Sequence, residues 1–221
     1  MPDTPPNILL IVSEDNGQNL GCYGDPNAVT PNLDALAAQG VRFTNAYTTQ
    51  SVCSPGRASI LTGLYPHQNG QFGLATHKYA MYEAFPNIPS LLNPAGYRTG
   101  IIGKLHVNPE WAFPFDFWWN DRDYISFQHR DMVKATEMAA SFISGDDSPF
   151  FLMVNYPDAH LPFLRQECGL PEKPFTADDV TPLPAGGIDT PRIREHTADY
   201  YNCKPVGYGR RHAAEGAGAI R

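Results

Sequence analysis

A cysteine and an arginine about one helical turn apart are the residues best placed to do chemistry. Cys53 opens the run CSPGRASILTG, in which Arg57 follows four positions later. Pro55 suits the first turn of a helix, and Gly63 suits a left-handed cap at its end. A helix that begins beside a thiol directs a partial positive charge at it, and Arg57 can add two hydrogen bonds to an oxyanion. The run therefore predicts a site for an anion or a bound oxyanion.

The run extends well beyond a five-residue pattern. A bare C-x-P-x-R match would favour a small buried cysteine near a surface arginine, because short patterns often occur by chance. Here the match continues through CSPGRASILTG to HQNG at residues 67–70. The stretch resembles the signature of the sulfatase family, in which the cysteine is oxidised after translation to Cα-formylglycine. Within that family it is most similar to the sulfamidase (heparan N-sulfatase) type.

The composition is typical of a soluble globular protein. A chain of 221 residues with 42% hydrophobic and 18% charged residues can form one α/β domain with a substantial core. The net charge of −7 and the lack of a Lys/Arg run argue against a nucleic-acid partner. The first residues contain neither a secretory signal nor a long apolar stretch, so we expect a cytoplasmic protein without a membrane partner. The cysteines are scattered and predict neither a disulfide framework nor a zinc site: Cys22, Cys53, Cys168 and Cys203.

An acidic pair follows the first apolar run. Residues 7–12 predict a central strand of a parallel sheet covered on both faces. Glu14 and Asp15 come directly after it, at the end of the strand where ligands gather in open α/β sheets. Their carboxylates suit a hard metal ion, and the alternative is a polar loop with a turn-forming Asn-Gly. Sulfatases carry two adjacent acidic calcium ligands here, so the resemblance implies that Glu14 and Asp15 bind Ca²⁺, although the usual pair is Asp-Asp.

Basic side chains follow two further predicted strands. The strand at 97–103 leads to Lys104 and His106, which would point the same way on an extended segment, and the strand at 149–155 leads to His160. The alternatives are a solvated lysine and structural histidines. Strand ends that converge with titratable groups are typical of an active site. The segment with Lys104 and His106 is similar to the family's G-K-x-H, and of the family's H-D-P-H-like segment only His160 is retained.

Other segments predict the supporting elements. A helix at 30–40 is predicted from Thr30 at the N-cap and Gly40 at the end, with a buried stripe of Leu33, Leu36 and Ala37. The remaining predicted elements are a strand at 41–47, helices at 88–93, at 131–143 and from Thr197, and an irregular segment at 168–194. The run at 111–119 is rich in aromatic residues, and we assign it to packing rather than to the wall of a sugar-binding pocket.

The resemblance covers residues 7–203 and implies the fold and the reaction. It implies an alkaline-phosphatase-like α/β/α sandwich with a mixed, mainly parallel sheet, present as an N-terminal part in residues 1–203. The implied reaction is hydrolysis of a sulfate ester or N-sulfate, with a sulfated carbohydrate as substrate. A formylglycine-generating enzyme, or an equivalent one, would mature Cys53. One hydroxyl of the hydrated aldehyde would attack sulfur and expel the alcohol or amine. Loss of the proton from the other hydroxyl would then eliminate sulfate and re-form the aldehyde.

The resemblance also implies a role for each site residue. Calcium bound by Glu14, Asp15 and the modified Cys53 would polarise a sulfate oxygen. Arg57 would support the diol and the metal site, and Lys104 would neutralise charge on the sulfate. His106 would hold or deprotonate the diol, and His160 would act as the general acid.

Some of the family's pattern has no counterpart in the sequence. Nothing here matches the later S-D-N-G-like segment that supplies further calcium ligands. A calcium ion takes about six or more oxygen ligands, so we expect weak calcium binding and little hydrolysis from these residues alone. Exposed sheet edges would also favour aggregation. Two alternatives stay open: a phosphodiesterase or phosphonate hydrolase of the same superfamily, and a non-catalytic fragment.

Residues 204–221 differ in character from the rest of the chain. Pro205 and the repeated glycines would stop the helix that begins at Thr197. Codons chosen for residues 205–221, read one base later, encode RLDTGVGMLLKELERS, an amphipathic helix similar to the family's R-L-D-x-x-V-G helix. We therefore interpret residues 204–221 as an aberrant tail produced by a frameshift, either natural or from a sequencing error.

Overall fold

A computed structural model describes residues 5–126, 129–157, 160–163, 171–182 and 188–203. The predicted tail at 204–221 lies outside the described residues, as does part of the predicted irregular segment. The helices and strands, in chain order, are β1 (Ile8–Ser13), α1 (Pro31–Gln39), α2 (Cys53–Thr62), α3 (Pro66–Asn69), α4 (Ile88–Leu92), β2 (Arg98–Ile102), β3 (Phe117–Trp119), α5 (Met132–Ile143), β4 (Phe150–Tyr156) and α6 (Pro191–Cys203).

The described chain divides into two compact units. The sheet unit comprises residues 5–12, 46–125 and 133–156. The helical unit comprises residues 13–45 and 126–132 together with the described residues from 157 onward, and it contains α1 and α6. Each unit has its own buried apolar cluster, so each is described by itself below.

Four strands of the described chain form one sheet in the order β1-β4-β2-β3. β2 pairs in parallel with β4 on one side and with β3 on the other. Gly100 opposes Leu152 of β4 and Phe117 of β3 in this register. Parallel strands with helices between them are the expected product of the βαβ pattern in the sequence. The predicted mainly parallel sheet is confirmed.

Helices cover the two faces of this sheet. On one face, Ala58 and Leu61 of α2 are buried in one cluster with Ile101 of β2 and with Phe151 and Met153 of β4. The next residues along each strand face the opposite side, because side chains alternate along a strand.

The opposite face is covered by α5. Its Phe142 ring packs at a tilt against Phe117 and edge-to-face against Phe150, with ring centroids 5.5 and 6.1 Å away. A Cβ atom on Gly100 would lie only 2.7 Å from the Phe142 ring, so glycine is what lets α5 approach the sheet. The predicted helix at 131–143 and the strands at 97–103 and 149–155 are therefore confirmed, and the layers are helix, sheet and helix.

The prediction that β1 is a central, fully covered strand is wrong. β1 lies at the end of the strand order among the described residues, beside β4. Ile8, Leu9 and Ile11 are exposed, whereas β4 is buried along nearly its whole length. An apolar run predicts a strand well, but it does not show which neighbours cover that strand.

Two predictions for the helical unit are also wrong. α1 has Thr30 at its N-cap and Gly40 at its C-cap as expected, but the predicted buried stripe is not buried, since Leu36 is 64% exposed. The helix is attached to its neighbours through Asp34 instead, whose carboxylate accepts a hydrogen bond from the Cys22 N–H at 2.6 Å. No strand forms at 41–47, and the Phe43 carbonyl accepts from the Tyr23 hydroxyl at 2.8 Å rather than from a neighbouring strand.

The other predicted elements differ in smaller ways. The helix at 88–93 is confirmed as α4, and α6 begins at Pro191 rather than at Thr197. The aromatic-rich run packs in part, with Phe113 buried and Trp111 exposed. No helix of the described chain has the length and apolar character needed to cross a bilayer.

Candidate active site

The predicted helix at the cysteine is confirmed. α2 begins at Cys53, with Val52 at its N-cap, and ends at Gly63, which has the left-handed conformation with φ 71°. Ala58 and Leu61 anchor the helix in the apolar cluster of the sheet unit. Cys53 is partly exposed. The thiol therefore lies at the electropositive end of a helix whose far side is fixed by packing, which is an arrangement that favours anions.

Arg57 is held by two neutral oxygens of the sheet unit. Its side chain is 4% exposed, and its Nη1 atom donates to the Lys104 carbonyl oxygen at 2.7 Å and to Asn155 Oδ1 at 2.6 Å. The first bond joins α2 to the segment that follows β2, and the second joins it to the end of β4. The structure therefore brings together two predicted site segments, the helix that carries Cys53 and Arg57 and the segment that carries Lys104.

The segment from Lys104 to His106 leaves β2 through a sharp bend. Gly103 has φ 81°, and a Cβ atom there would lie 2.9 Å from the Asn155 carbonyl oxygen, so the bend requires glycine. Leu105 is buried, whereas Lys104 and His106 on either side of it are only partly buried. This alternation agrees with the prediction that Lys104 and His106 share a side. The predicted regular extension is wrong at His106, which has φ 55°.

Asn155 was not predicted as a site residue. It is the sixth residue of β4 and is almost completely buried. Its Nδ2 atom donates to the Ile102 carbonyl at 2.9 Å, while its Oδ1 atom accepts from Arg57. The rule that ligands gather at the carboxyl ends of strands could have identified it, because Asn155 is also a polar side chain near the carboxyl end of an apolar strand.

Glu14 and Asp15 lie in the helical unit, on the loop after β1. Glu14 is buried and Asp15 is exposed with φ 52°. Asn16 supports the pair, since its Nδ2 atom donates to the Glu14 carbonyl at 3.0 Å and its Oδ1 atom accepts from the Tyr200 hydroxyl of α6 at 2.9 Å.

A second tyrosine of α6 fixes the continuation of this loop. The Tyr201 hydroxyl donates to the Asp25 carboxylate and accepts from Asn19 Nδ2. Burial of the ring, followed by the bond to Asp25, raises the pKa of Tyr201 to about 12. Neighbouring tyrosines of α6 thus attach the acidic loop at two points within the helical unit.

His160 is positioned by a buried arginine of the same unit. Arg130 is 1% exposed, and its Nη2 atom donates to the carbonyl oxygens of His160 and Pro162 at 2.8 and 2.9 Å. Residues 158 and 159 of the predicted Pro157–His160 segment lie outside the described residues. Arg130 gave no signal in the sequence, because it lies 30 positions from His160 and belongs to no motif.

Backbone strain coincides with two predicted site residues. Among the described residues, three non-glycine residues have a positive φ, and Asp15 and His106 are two of them. Such conformations cost about 1–3 kcal/mol each and concentrate at functional sites. The strain is therefore consistent with a functional role for both segments, while the role of each residue stays a prediction.

The donor atoms of the acidic pair suit the predicted metal ion. Glu14 and Asp15 offer hard carboxylate oxygens, the ligands that calcium prefers, although a calcium ion takes about six or more. Cys53 offers a soft sulfur, which is a poor partner for calcium. Its predicted part in the metal site therefore depends on conversion to an oxygen-bearing residue.

Comparison with known proteins identifies the family. A family model described as sulfatase matches residues 6–203. The chain belongs to the sulfatase family. Human N-sulphoglucosamine sulphohydrolase is 43% identical over 160 residues, which are 71% of this sulfatase and 32% of the human protein. Human arylsulfatase A is 44% identical over 115 residues, which are 49% and 23% of the two chains. The matched part thus spans about a third of the first relative's length.

Solved structures confirm the predicted fold. A protein in complex with its substrate D-glucosamine-2-N,6-O-disulfate matches this sulfatase with a TM-score of 0.61 at 29% identity, over 72% of this chain and 36% of that one. The phosphonate monoester hydrolase of Agrobacterium radiobacter matches with a TM-score of 0.69 at 20% identity, over 97% and 60%. The predicted resemblance to sulfatases, the sulfamidase type included, is confirmed by the relatives found.

Proposed function

We propose that this chain carries the nucleophile end of a sulfatase active site, which hydrolyses sulfate esters or N-sulfate groups of a sugar. The observation that carries the proposal is the buried guanidinium of Arg57, one helical turn after Cys53 and bonded to the backbone of Lys104. This arrangement places a fixed cation and a helix N-terminus around one reactive side chain. Family membership supports sulfate as the anion.

Cys53 is the proposed site of oxidation to formylglycine by a maturation enzyme. Formylglycine supplies a geminal diol, a nucleophile that can release sulfate and return to the aldehyde, whereas an ordinary serine would keep the sulfate. Arg57 orients the diol and offsets negative charge beside it. The partly buried Lys104 neutralises charge that shifts onto the sulfate oxygens during transfer.

The two histidines have complementary proposed tasks. His106 receives the proton of the diol, and His160 donates a proton to the departing alcohol or amine. Glu14 and Asp15 bind calcium, which supplies Lewis-acid polarisation of a sulfate oxygen when bound. Since these two carboxylates are fewer than the six or so ligands that calcium takes, we expect weak calcium binding and slow turnover in the 221-residue chain.

A sulfated glucosamine is the proposed substrate class. Two observations support it: the human relative is an N-sulphoglucosamine sulphohydrolase, and a solved relative at 29% identity binds D-glucosamine-2-N,6-O-disulfate. The phosphonate monoester hydrolase, at 20% identity, shows the fold alone and does not favour phosphonate hydrolysis.

The first test is the state of Cys53. The chain is coexpressed with a formylglycine-generating enzyme, and its intact mass and the tryptic peptide at Cys53 are measured. We expect the mass change from thiol to aldehyde in the wild type and no change in Cys53→Ala. An unmodified cysteine in the wild type would contradict the enzymatic proposal and favour a non-catalytic fragment.

The second test is sulfate release by the matured chain. With protein in excess over glucosamine N-sulfate or glucosamine 6-sulfate, we expect slow release of sulfate that increases with calcium and is absent in Cys53→Ala. A phosphonate monoester is supplied in parallel. Cleavage of that ester with no sulfate release would replace this proposal with a phosphonate hydrolase, and rapid turnover would contradict the expected shortage of calcium ligands.

A further inference from the structure

The amide of Asn155 has only one orientation that satisfies both of its neighbours. Its partners on the two sides are the Ile102 carbonyl, which can only accept, and the Arg57 guanidinium, which can only donate. The Nδ2 atom must therefore face Ile102 and the Oδ1 atom must face Arg57. A leucine of similar size would satisfy neither partner, and an aspartate would satisfy only Arg57.

The bond to Asn155 completes the fixing of one end of Arg57. An Nη atom carries two N–H groups, and here the Lys104 carbonyl and Asn155 Oδ1 accept from the same Nη1 atom at 2.7 and 2.6 Å. Two acceptors on one nitrogen define the plane of the guanidinium as well as its direction. Because α2 packs separately through Ala58 and Leu61, these bonds orient the head of Arg57 rather than the helix that carries it.

The chemistry of the acceptor matters as much as its position. Asn155 and the Lys104 carbonyl are both neutral, so they orient the guanidinium without cancelling its positive charge. An aspartate at position 155 would form an ion pair with Arg57 and weaken its pull on a bound anion. A buried asparagine can therefore orient the Arg57 guanidinium without reducing its attraction for a bound anion.

We propose that Asn155 is a positioning residue of this sulfatase, which aims the Arg57 guanidinium at the anion bound beside residue 53. This inference rests on the proposed function, because it assigns sulfate as the anion. The competing explanation is purely structural: Asn155 joins β4 to β2 through Ile102, and its loss would only weaken the sheet.

The first measurement follows Arg57 directly and needs no ligand. Hydrogen exchange and rotation of the Arg57 Nη groups are measured by NMR on the full chain with isotope-labelled arginine. We expect slow exchange in the wild type and faster exchange in Asn155→Ala. Asn87→Ala is the matched control, because Asn87 is equally buried and donates to Ala112 O at 2.7 Å in the same unit. Unchanged exchange in Asn155→Ala would overturn the proposal.

The second measurement is the affinity for inorganic sulfate by isothermal titration calorimetry with calcium present. We expect Asn155→Ala to raise the dissociation constant for sulfate roughly tenfold, which is the change in affinity that loss of one hydrogen bond to a charged group typically causes. The same change in an Arg57→Ala background should have no further effect. An equal loss in both backgrounds would show that Asn155 acts through the sheet and would overturn the proposal.

Asn155→Asp provides a variant that keeps the acceptor for Arg57. We expect slow Arg57 exchange to be retained while sulfate affinity falls, because the carboxylate cancels the charge. Sulfate affinity equal to that of the wild type would contradict the role given to the neutral acceptor. A matured wild-type chain that binds no sulfate would overturn the proposed function, and the NMR measurement would still decide whether Asn155 orients Arg57.

Discussion

The two units hold their predicted site residues by different means. In the sheet unit, α2 and the strands bury a continuous apolar cluster, and a site cation is then fixed by two bonds to neutral oxygens. In the helical unit the buried cluster is small, centred on Val180, Ala198 and Tyr201. There the acidic loop and the His160 segment are fixed by long polar side chains, namely tyrosines of α6 and Arg130.

These two kinds of support predict which substitutions should affect a whole unit and which should affect one segment. Packing distributes the support of α2, the helix that carries Arg57, over many contacts, so an apolar substitution weakens the whole sheet unit before it moves one group. Hydrogen bonds concentrate the support of Glu14 and His160 in a few donors, so a single substitution there should release one segment and leave the rest in place. Both expectations can be measured.

The largest effect is expected in the core of the sheet unit. Ile101 is fully buried between α2 and the neighbouring strands, and Ile101→Ala should lower the free energy of unfolding by about 2–5 kcal/mol. The matched control is Leu36→Ala on α1, whose side chain is exposed, with an expected change within about 0.5 kcal/mol. Urea denaturation measures both. Equal effects of the two variants would remove the basis for distinguishing the units.

A smaller and more local effect is expected from Arg130. Arg130→Leu removes two part-buried hydrogen bonds from a charged donor, those to the carbonyl oxygens of His160 and Pro162, and a hydrogen bond to a charged group contributes about 1.5–3 kcal/mol. Hydrogen exchange should quicken at the His160 amide, which donates to Pro157 O at 2.9 Å, and not at amides of α2.

Arg194 supplies the control for Arg130. It also donates to a backbone carbonyl of the helical unit, that of Val180 at 2.9 Å, but its side chain is partly exposed and pairs with Asp189. Arg194→Leu should change exchange at His160 little, because the partners of Arg194 among the described residues are Val180 and Asp189 rather than the His160 segment. Faster exchange throughout α2 in Arg130→Leu would indicate that Arg130 supports the whole fold rather than one segment.

The same difference explains what the sequence could predict. α2, β2 and β4 were predicted correctly because apolar runs and end signals such as Gly63 are local features of the sheet unit. The site residues that follow β2 and β4 came from the rule that ligands gather at strand ends, whereas Cys53 and Arg57 came from the helix signals and the family motif. The same rule could have identified Asn155, but its contact with Arg57 could not be predicted, because the two residues lie 98 positions apart and no local pattern records such a contact.

The wrong predictions concern segments whose structure depends on polar contacts or on which elements lie beside them. Residues 41–47 alternate like a strand, yet Val41 is 82% exposed and no described strand lies beside it. β1 is apolar enough for a central position, but the described neighbours leave it at an edge. Pro191 falls within the predicted irregular segment at 168–194, whereas proline in the first turn favours the start of a helix such as α6.

The smallest expected effect concerns Tyr201. Tyr201→Phe removes the donor to Asp25, which keeps the Asn27 N–H at 2.9 Å, so the loss near neutral pH should be about 1 kcal/mol. Because the folded state raises the pKa of Tyr201 to about 12, an unfolded chain loses the Tyr201 proton first as the pH rises above about 10. The folded state then binds more protons than the unfolded state, and stability must fall between about pH 10 and pH 12.

Titration of tyrosine absorbance measures this group directly. The wild type should show a tyrosine that ionises late, near pH 12, and Tyr201→Phe should remove that step. Tyr200→Phe, on the neighbouring residue of α6, breaks the bond to Asn16 and should leave the late step in place. The decline in stability across this pH window should be shallower in Tyr201→Phe than in Tyr200→Phe. Equal slopes would contradict the raised pKa assigned to Tyr201 and the stabilising role given to its bond to Asp25.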